Sequence, residues 1–348
     1  MSLLPEVSSK RIFYLDQLRV LAMIGVIFIH VSAQFLSNSD PGTYSFFMSS
    51  FFNVFGQSFA VPLFVMISGA LLLGRQYKII DFFKKRLSRI IVPFIFWAIL
   101  TIILTVSLFN INFSLQYARN IFLGVSGTLG VHFWFIWMLI GLYLFIPIIN
   151  SFINEYKLKG VEYFLIIWII TIILKTLQIL PFYKLELSYF TGYLGFLVLG
   201  YYLKNKEIKT NKKILTILTT LGFITMLTIS IYPITIGEIS LGKSPFTQLI
   251  SCTTIFILFK TFNEKPNKIS KLLKNTIIGK ITLSLSTCSY GIYLSHLLIL
   301  NIIMSIHFNP QAEPLTGILL LTTTTLITSW ITTLTLSKIP HIKKLSGT

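Results

Sequence analysis

An all-α, polytopic membrane bundle of about ten spans, with both termini in the cytoplasm, is the fold class this sequence predicts. Three observations predict it. The first is composition: of 348 residues, 54% are hydrophobic and only 11% charged, and mean hydropathy is +0.79, whereas a soluble domain carries about 25% charge. The second is that apolar runs of bilayer-spanning length, about 20 residues, recur along the whole chain. The third is the placing of the basic residues: 24 of the 29 Lys and Arg fall in alternate loops and 4 on the opposite side or its span ends. Such a bias puts those loops, and the termini, in the cytoplasm. With 20 Gly, 12 Pro and 2 Cys the chain is not collagen, disordered or a disulfide scaffold. It reads as a single membrane-embedded domain over 1–348.

The spans run 14–36, 46–73, 90–109, 131–150, 161–180, 190–203, 214–232, 246–262, 281–306 and 316–336. The first carries the sharpest set of polar residues. Ionisable groups inside a span are costly and are functional candidates by default, and here they are Asp16, Arg19 and His30. Arg19 and His30 are eleven positions apart, three turns plus about 20°, so they share one helix face about 16 Å apart along the axis. Arg19 would sit near the cytoplasmic interface and His30 near the bilayer middle. Asp16, one turn before Arg19, can pair with it. A snorkelling anchor at Arg19 and an interhelical hydrogen bond at His30 are the plainer readings of each residue alone. Lys10 and Arg11 before an apolar run, with Val31-Ser32-Ala33 beyond it, also have the outline of a signal peptide, but Asp16 and Arg19 lie too close to that run.

Before span three stand Lys84, Lys85, Arg86, Leu87, Ser88 and Arg89. Arg86 and Arg89 share a face, and two guanidinium groups so spaced can hold a phosphate or pyrophosphate; a positive-inside cluster is the alternative. Segment 110–130, with Gly124, Gly127 and Gly130, reads as a re-entrant or surface-lying piece. Span four opens His132-Phe133-Trp134, either an aromatic belt or an acceptor-binding element. Span six is short and glycine-rich. Span nine carries Ser289-Tyr290-Gly291-Ile292-Tyr293-Leu294-Ser295-His296, in which Gly291 allows close helix approach and Tyr290, Tyr293 and His296 lie on one side. Cys252 and Cys288, inside apolar runs, read as small core residues. No metal-ligand spacing is present. The net charge of +18 follows from topology, so no nucleic-acid partner is expected.

These pieces resemble the integral-membrane acyltransferase family 3, the O-acyltransferases of bacterial surface polysaccharides and related glycans. The resemblance rests on Tyr14-Leu15-Asp16-Gln17-Leu18-Arg19 followed by His30, on Val61 to Gly69 with Ser68, on Arg86-x-x-Arg89, on His132-Phe133-Trp134 with Pro147, and on Tyr290 to His296, in that order. It implies an acyl-CoA donor, usually acetyl-CoA, on the cytoplasmic side and a sugar hydroxyl acceptor on or near the outer side. It also implies that His30 and Arg19 are essential and that Arg86 and Arg89 act on the donor. His30 is then a general base on the acceptor hydroxyl, or carries a transient acyl group. Asp16 orients Arg19, and Tyr290, Tyr293, His296 or Ser68 lines the acceptor or supports the oxyanion. No metal is required. Specificity is expected in the outer segments 110–130, 180–190 and 233–245. The chain is expected in a bacterial plasma membrane. A transporter without acyl chemistry and a scaffold binding surface-glycan assembly proteins are the rival readings.

Overall fold

Inside a bilayer the backbone must satisfy its own hydrogen bonds, so apolar runs of this length form helices. The computed structural model describes residues 11–109, 111–177, 192–207, 212–235, 244–264, 273–274, 276–306 and 313–348. Among them it contains α-helices and two 3-10 turns, and no strand. The helices are α1 (Phe13–Leu36), α2 (Tyr44–Gln57), α3 (Ala60–Leu72), α4 (Ile79–Leu108), α5 (Leu115–Leu123), α6 (Trp134–Thr176), α7 (Leu194–Asn205), α8 (Lys212–Thr235), α9 (Pro245–Glu264), α10 (Ile277–Ser305) and α11 (Pro314–Lys338). The turns are Val131–Phe133 and Lys343–Leu345.

Every expected span overlaps a helix, but seven helical stretches are both long and apolar enough to cross a membrane among the described residues. Span two is two helices, because the backbone breaks at Phe59 (φ −141°, ψ −26°) before α3 begins. Spans four and five are one helical element interrupted at Lys157, whose φ of 53° and ψ of −149° are not helical. Span six is the 12-residue α7, too short to cross alone; its possible extension and the expected specificity segment 180–190 lie outside the described residues. Segment 110–130 holds α5, a surface piece in which Ser114 caps the N-terminus and only Ile121 is buried.

The helices sort into two compact units. Unit 1 comprises Met1–Gln76 and Phe145–Ser284. In it α1 packs on α2, α3 and α9, and α3 packs on α7. The α3–α7 crossing depends on absent side chains: a Cβ on Gly69 would fall on the Leu197 carbonyl, and one on Gly200 on the Met66 carbonyl. The glycine content of span six is therefore a packing feature. Lys260, fully buried on α9, donates to the carbonyls of Leu203 (2.7 Å), Lys204 (2.9 Å) and Lys206 (2.9 Å), closing the C-terminus of α7. Those carbonyls have no partner within their own helix, and a cation there complements the helix dipole. Just beyond α7, the Lys206 ammonium is pushed up in pKa by its hydrogen bond to the Glu162 carboxylate, at 2.7 Å.

Unit 2 comprises Tyr77–Leu144 and Leu285–Thr348. An aromatic cluster of Phe94, Phe122, Phe133 and Trp137 packs α5 and the start of α6 onto α4, and the Trp137 indole donates to the Phe122 carbonyl at 3.0 Å. Cys252 in unit 1 and Cys288 in unit 2 are both buried and unbridged.

Candidate active site

The sequence-predicted residues divide between the units: Asp16, Arg19, His30 and Ser68 in unit 1; Arg86, Arg89, His132, Trp134, Tyr290, Tyr293 and His296 in unit 2.

In unit 1, α1 is unbroken from Phe13 to Leu36, so Arg19 and His30 keep the common face and the rise of about 16 Å that ideal geometry gives. Both are half-buried, and between them on that face Met23 and Val26 are buried. The face thus has a cation at one end, an imidazole at the other and an apolar stretch between. Asp16, only 4% exposed, lies in the first turn of α1, where the helix dipole favours a carboxylate. Its Oδ1 accepts from Arg19 at 3.3 Å and from Arg11 at 3.1 Å. The pairing with Arg19 is the expected one. Arg11 is an addition that sequence reasoning missed, because it stands before the helix and no helical spacing flags it.

The back of α1 is fixed near His30 by a side chain the sequence reading also passed over. Asn53 of α2 donates to the Ile29 carbonyl at 2.9 Å and to Ser32 Oγ at 3.2 Å, and it accepts from Gln57. Gln248 of α9 donates in turn to the Gln57 carbonyl at 3.2 Å. The turn carrying His30 is thereby tied to two neighbouring helices. A lone Asn in the apolar run Phe51-Phe52-Asn53-Val54 was the available signal. Ser68 is half-buried on α3, and its side chain makes no hydrogen bond to another described residue.

In unit 2, three of the expected acceptor residues come together. His132 on the Val131–Phe133 turn and His296 on α10 are buried with ring centroids 4.9 Å apart, and Tyr293 lies 5.5 Å from His132. The Tyr293 hydroxyl donates to the His132 carbonyl. His132 Nε2 lies 3.2 Å from the Leu294 carbonyl and His296 Nδ1 lies 2.6 Å from that of Tyr293. Carbonyls only accept, so the neutral rings are the Nε2–H and Nδ1–H tautomers respectively. His132 Nδ1 and His296 Nε2 are then the acceptor nitrogens. Tyr290 is directed elsewhere, donating to the Ile90 carbonyl of α4 at 2.8 Å. Trp134 packs edge-on against Phe135, whose ring lies 5.2 Å from that of Tyr293, and is itself 39% exposed, which suits an interfacial aromatic.

Arg86 is half-buried and Arg89 exposed on α4. Neither makes an ion pair or hydrogen bond to another described residue, so both guanidinium groups keep their full donor sets for an anion. No group of three or more His, Cys, Asp or Glu that could hold a metal occurs among the described residues.

No curated protein and no solved structure matches the chain. The model of the acyltransferase domain of acyltransferase family 3 matches residues 12–334, a stretch that includes Asp16, Arg19, His30, the two arginines of α4 and the whole His132–Tyr293–His296 cluster. The chain therefore belongs to the acyltransferase 3 family.

Proposed function

We propose that this protein is a membrane O-acyltransferase that moves an acyl group, acetyl in the first instance, from acyl-CoA to a hydroxyl of a surface or exported polysaccharide or glycan precursor. The observation that carries this reading is the face of α1, where Arg19 is fixed by Asp16 and His30 follows three turns later, in a chain of an acyltransferase family. The basic side is taken as cytoplasmic, by the bias of Lys and Arg, and the membrane as the plasma membrane of a bacterium.

His30 takes the proton of the acceptor hydroxyl as its oxygen attacks the thioester carbonyl. The carbonyl carbon gains the C–O bond and loses the C–S bond. The departing CoA thiolate receives the proton from the imidazolium, giving an ester and free CoA. An imidazole titrates near neutral pH and suits both transfers. Arg19 supplies positive charge at the basic end of the same helix face. Arg86 and Arg89 hold donor phosphate, for which guanidinium groups have matching geometry. The cluster of His132, Tyr293 and His296 is assigned to the acceptor side of the reaction.

The test is release of free CoA from labelled acetyl-CoA by the purified chain in nanodiscs, with a glycan acceptor present. Wild-type protein turns over. His30→Ala, still folded, loses at least about 100-fold in rate, as expected for a general base. Undiminished turnover in that variant would falsify the role of His30. Failure of folded wild-type protein to bind acetyl-CoA or longer acyl-CoAs would favour a transporter.

A further inference from the structure

Gly291 has a use that helix approach alone does not explain. A Cβ there would fall on the Ser346 carbonyl oxygen as well as on the Thr333 side chain of α11. From the other side, a Cβ on Gly347 would stand 2.9 Å from Gly291 N and 3.3 Å from the Tyr290 ring, and Gly347 itself has φ of +83°. Segment 343–348 is therefore seated in a notch that exists because residue 291 has no side chain. The seating is thorough. Ser346 and Gly347 are buried, Ser346 Oγ donates to the Lys343 carbonyl at 2.8 Å and lies 3.0 Å from Thr348 Oγ1. The Lys343–Leu345 turn packs against both α4 and α11.

The seat has a defined level along α4. Tyr290, which borders Gly347, donates its hydroxyl to the carbonyl of Ile90. Ile90 is the neighbour of Arg89, and Arg86 is one turn earlier. The docked segment brings two more cations, Lys343 and Lys344, both exposed and neither in an ion pair with a described residue. The surroundings do little to neutralise them: across unit 2 only Asp81 and Glu313 are acidic, against nine Lys and Arg.

We infer that segment 343–348, seated at Gly291, is a fixed part of an anion site in unit 2 and adds Lys343 and Lys344 to Arg86 and Arg89 in holding a polyphosphate of the CoA class. This rests on the acyl-CoA reading above. The chemistry matches the division of labour. A guanidinium pair engages one phosphate group in bidentate fashion, whereas lysines act as point charges, and CoA carries a diphosphate and a separate 3′-phosphate. An anionic lipid headgroup offers the same phosphate chemistry, so the two sources must be separated experimentally.

The experiment is titration of the full chain with CoA and with dephospho-CoA, in nanodiscs of phosphatidylcholine alone and of phosphatidylcholine with phosphatidylglycerol. Lys343→Glu/Lys344→Glu is expected to weaken CoA binding about tenfold, the effect of losing two exposed ion contacts and gaining two repulsions. It should do so in phosphatidylcholine alone and with a shallower salt dependence. Gly291→Ala, which unseats the segment while leaving all four cations in place, should weaken CoA binding in the same direction in protein that still elutes as a folded species. Unchanged CoA affinity in Lys343→Glu/Lys344→Glu overturns the inference. So does a defect confined to nanodiscs containing phosphatidylglycerol, which would assign the lysines to lipid. Wild-type protein that is folded yet binds no CoA in either lipid overturns the acyl-CoA reading itself, a result distinct from a defect confined to the variants of segment 343–348 and its seat.

Discussion

Units 1 and 2 both place polar side chains among apolar ones, but they hold them differently. In unit 1 the charged and amide side chains meet other side chains or backbone carbonyls, within a helix and between helices: Asp16 between Arg11 and Arg19, Asn263 on Gln17 at 2.8 Å, Gln57 on Asn53, Lys260 on the end of α7. In unit 2 the histidines and tyrosines are held by backbone carbonyls of their own cluster and of α4, and the arginines of α4 meet no carboxylate among the described residues. The contrast separates two uses of charge near a membrane. A charge already paired fixes one helix against another, and its loss is felt as instability. A charge held in place but left without a counter-ion is suited to an anion from outside, and its loss is felt as weakened binding.

The largest effect that sharpens this contrast is expected at the α4 arginines. Arg86→Ala/Arg89→Ala should raise the KM for acyl-CoA by about 10- to 100-fold, equivalent to about 1.4–2.7 kcal/mol of lost phosphate interaction, while kcat and melting temperature change little. Steady-state kinetics against acyl-CoA concentration, with a thermal melt of the same samples, measures both. A double variant that melts far below wild type would erase the distinction, by showing that these arginines hold unit 2 together as Asp16 and Lys260 hold unit 1.

The converse is expected at Lys260. Lys260→Met keeps the length and the apolar stem but removes the ammonium from three carbonyls, so it should cost about 2 kcal/mol of stability. Thermal or denaturant unfolding in detergent reports this directly. The KM for acyl-CoA should stay at its wild-type value in the fraction that remains folded. A shifted KM with unchanged stability would move Lys260 from the framework to the binding site.

How much of this was legible in the sequence depended on whether the deciding interaction was local. The positions of the apolar helices were legible, because hydropathy over about 20 residues is a local property. So was the Asp16–Arg19 pair, because a spacing of three on a helix is geometry. Breaks inside apolar stretches were not. Ser58 and Phe59 have nothing in their composition to separate α2 from α3, and the short α7 is held by backbone contacts with α3 that only the folded chain displays. Asn53 was visible as a polar residue in an apolar run, but its partner Ile29 is a carbonyl, and no pattern of residue types marks a carbonyl as an acceptor. Gly291 was read correctly as a place of close approach. That the visitor includes Ser346, 55 positions later in the chain, lies beyond any periodicity. For the candidate site, the residue types were legible and their grouping was not: His132, Tyr293 and His296 converge, whereas Trp134 and Tyr290 take other directions.

Trp134 offers the smallest effect and tests that grouping most sharply. It sits beside His132 in sequence, and sequence alone permits either acceptor binding or an interfacial aromatic. In the structure Trp134 is 39% exposed, while His132 turns inward to Tyr293 and His296. An exposed ring at a membrane surface is placed by its amphipathic character and contributes to depth and tilt more than to chemistry. Trp134→Leu should therefore leave the KM for acceptor within about twofold of wild type, as a surface aromatic with no role in binding requires. His132→Ala, by contrast, removes a ring from the buried cluster and should raise that KM well beyond this. Measured against a soluble glycan acceptor, an increase above tenfold in Trp134→Leu would return Trp134 to the acceptor site. It would also mean that the acceptor approaches unit 2 along its exposed aromatic surface before it reaches the histidines.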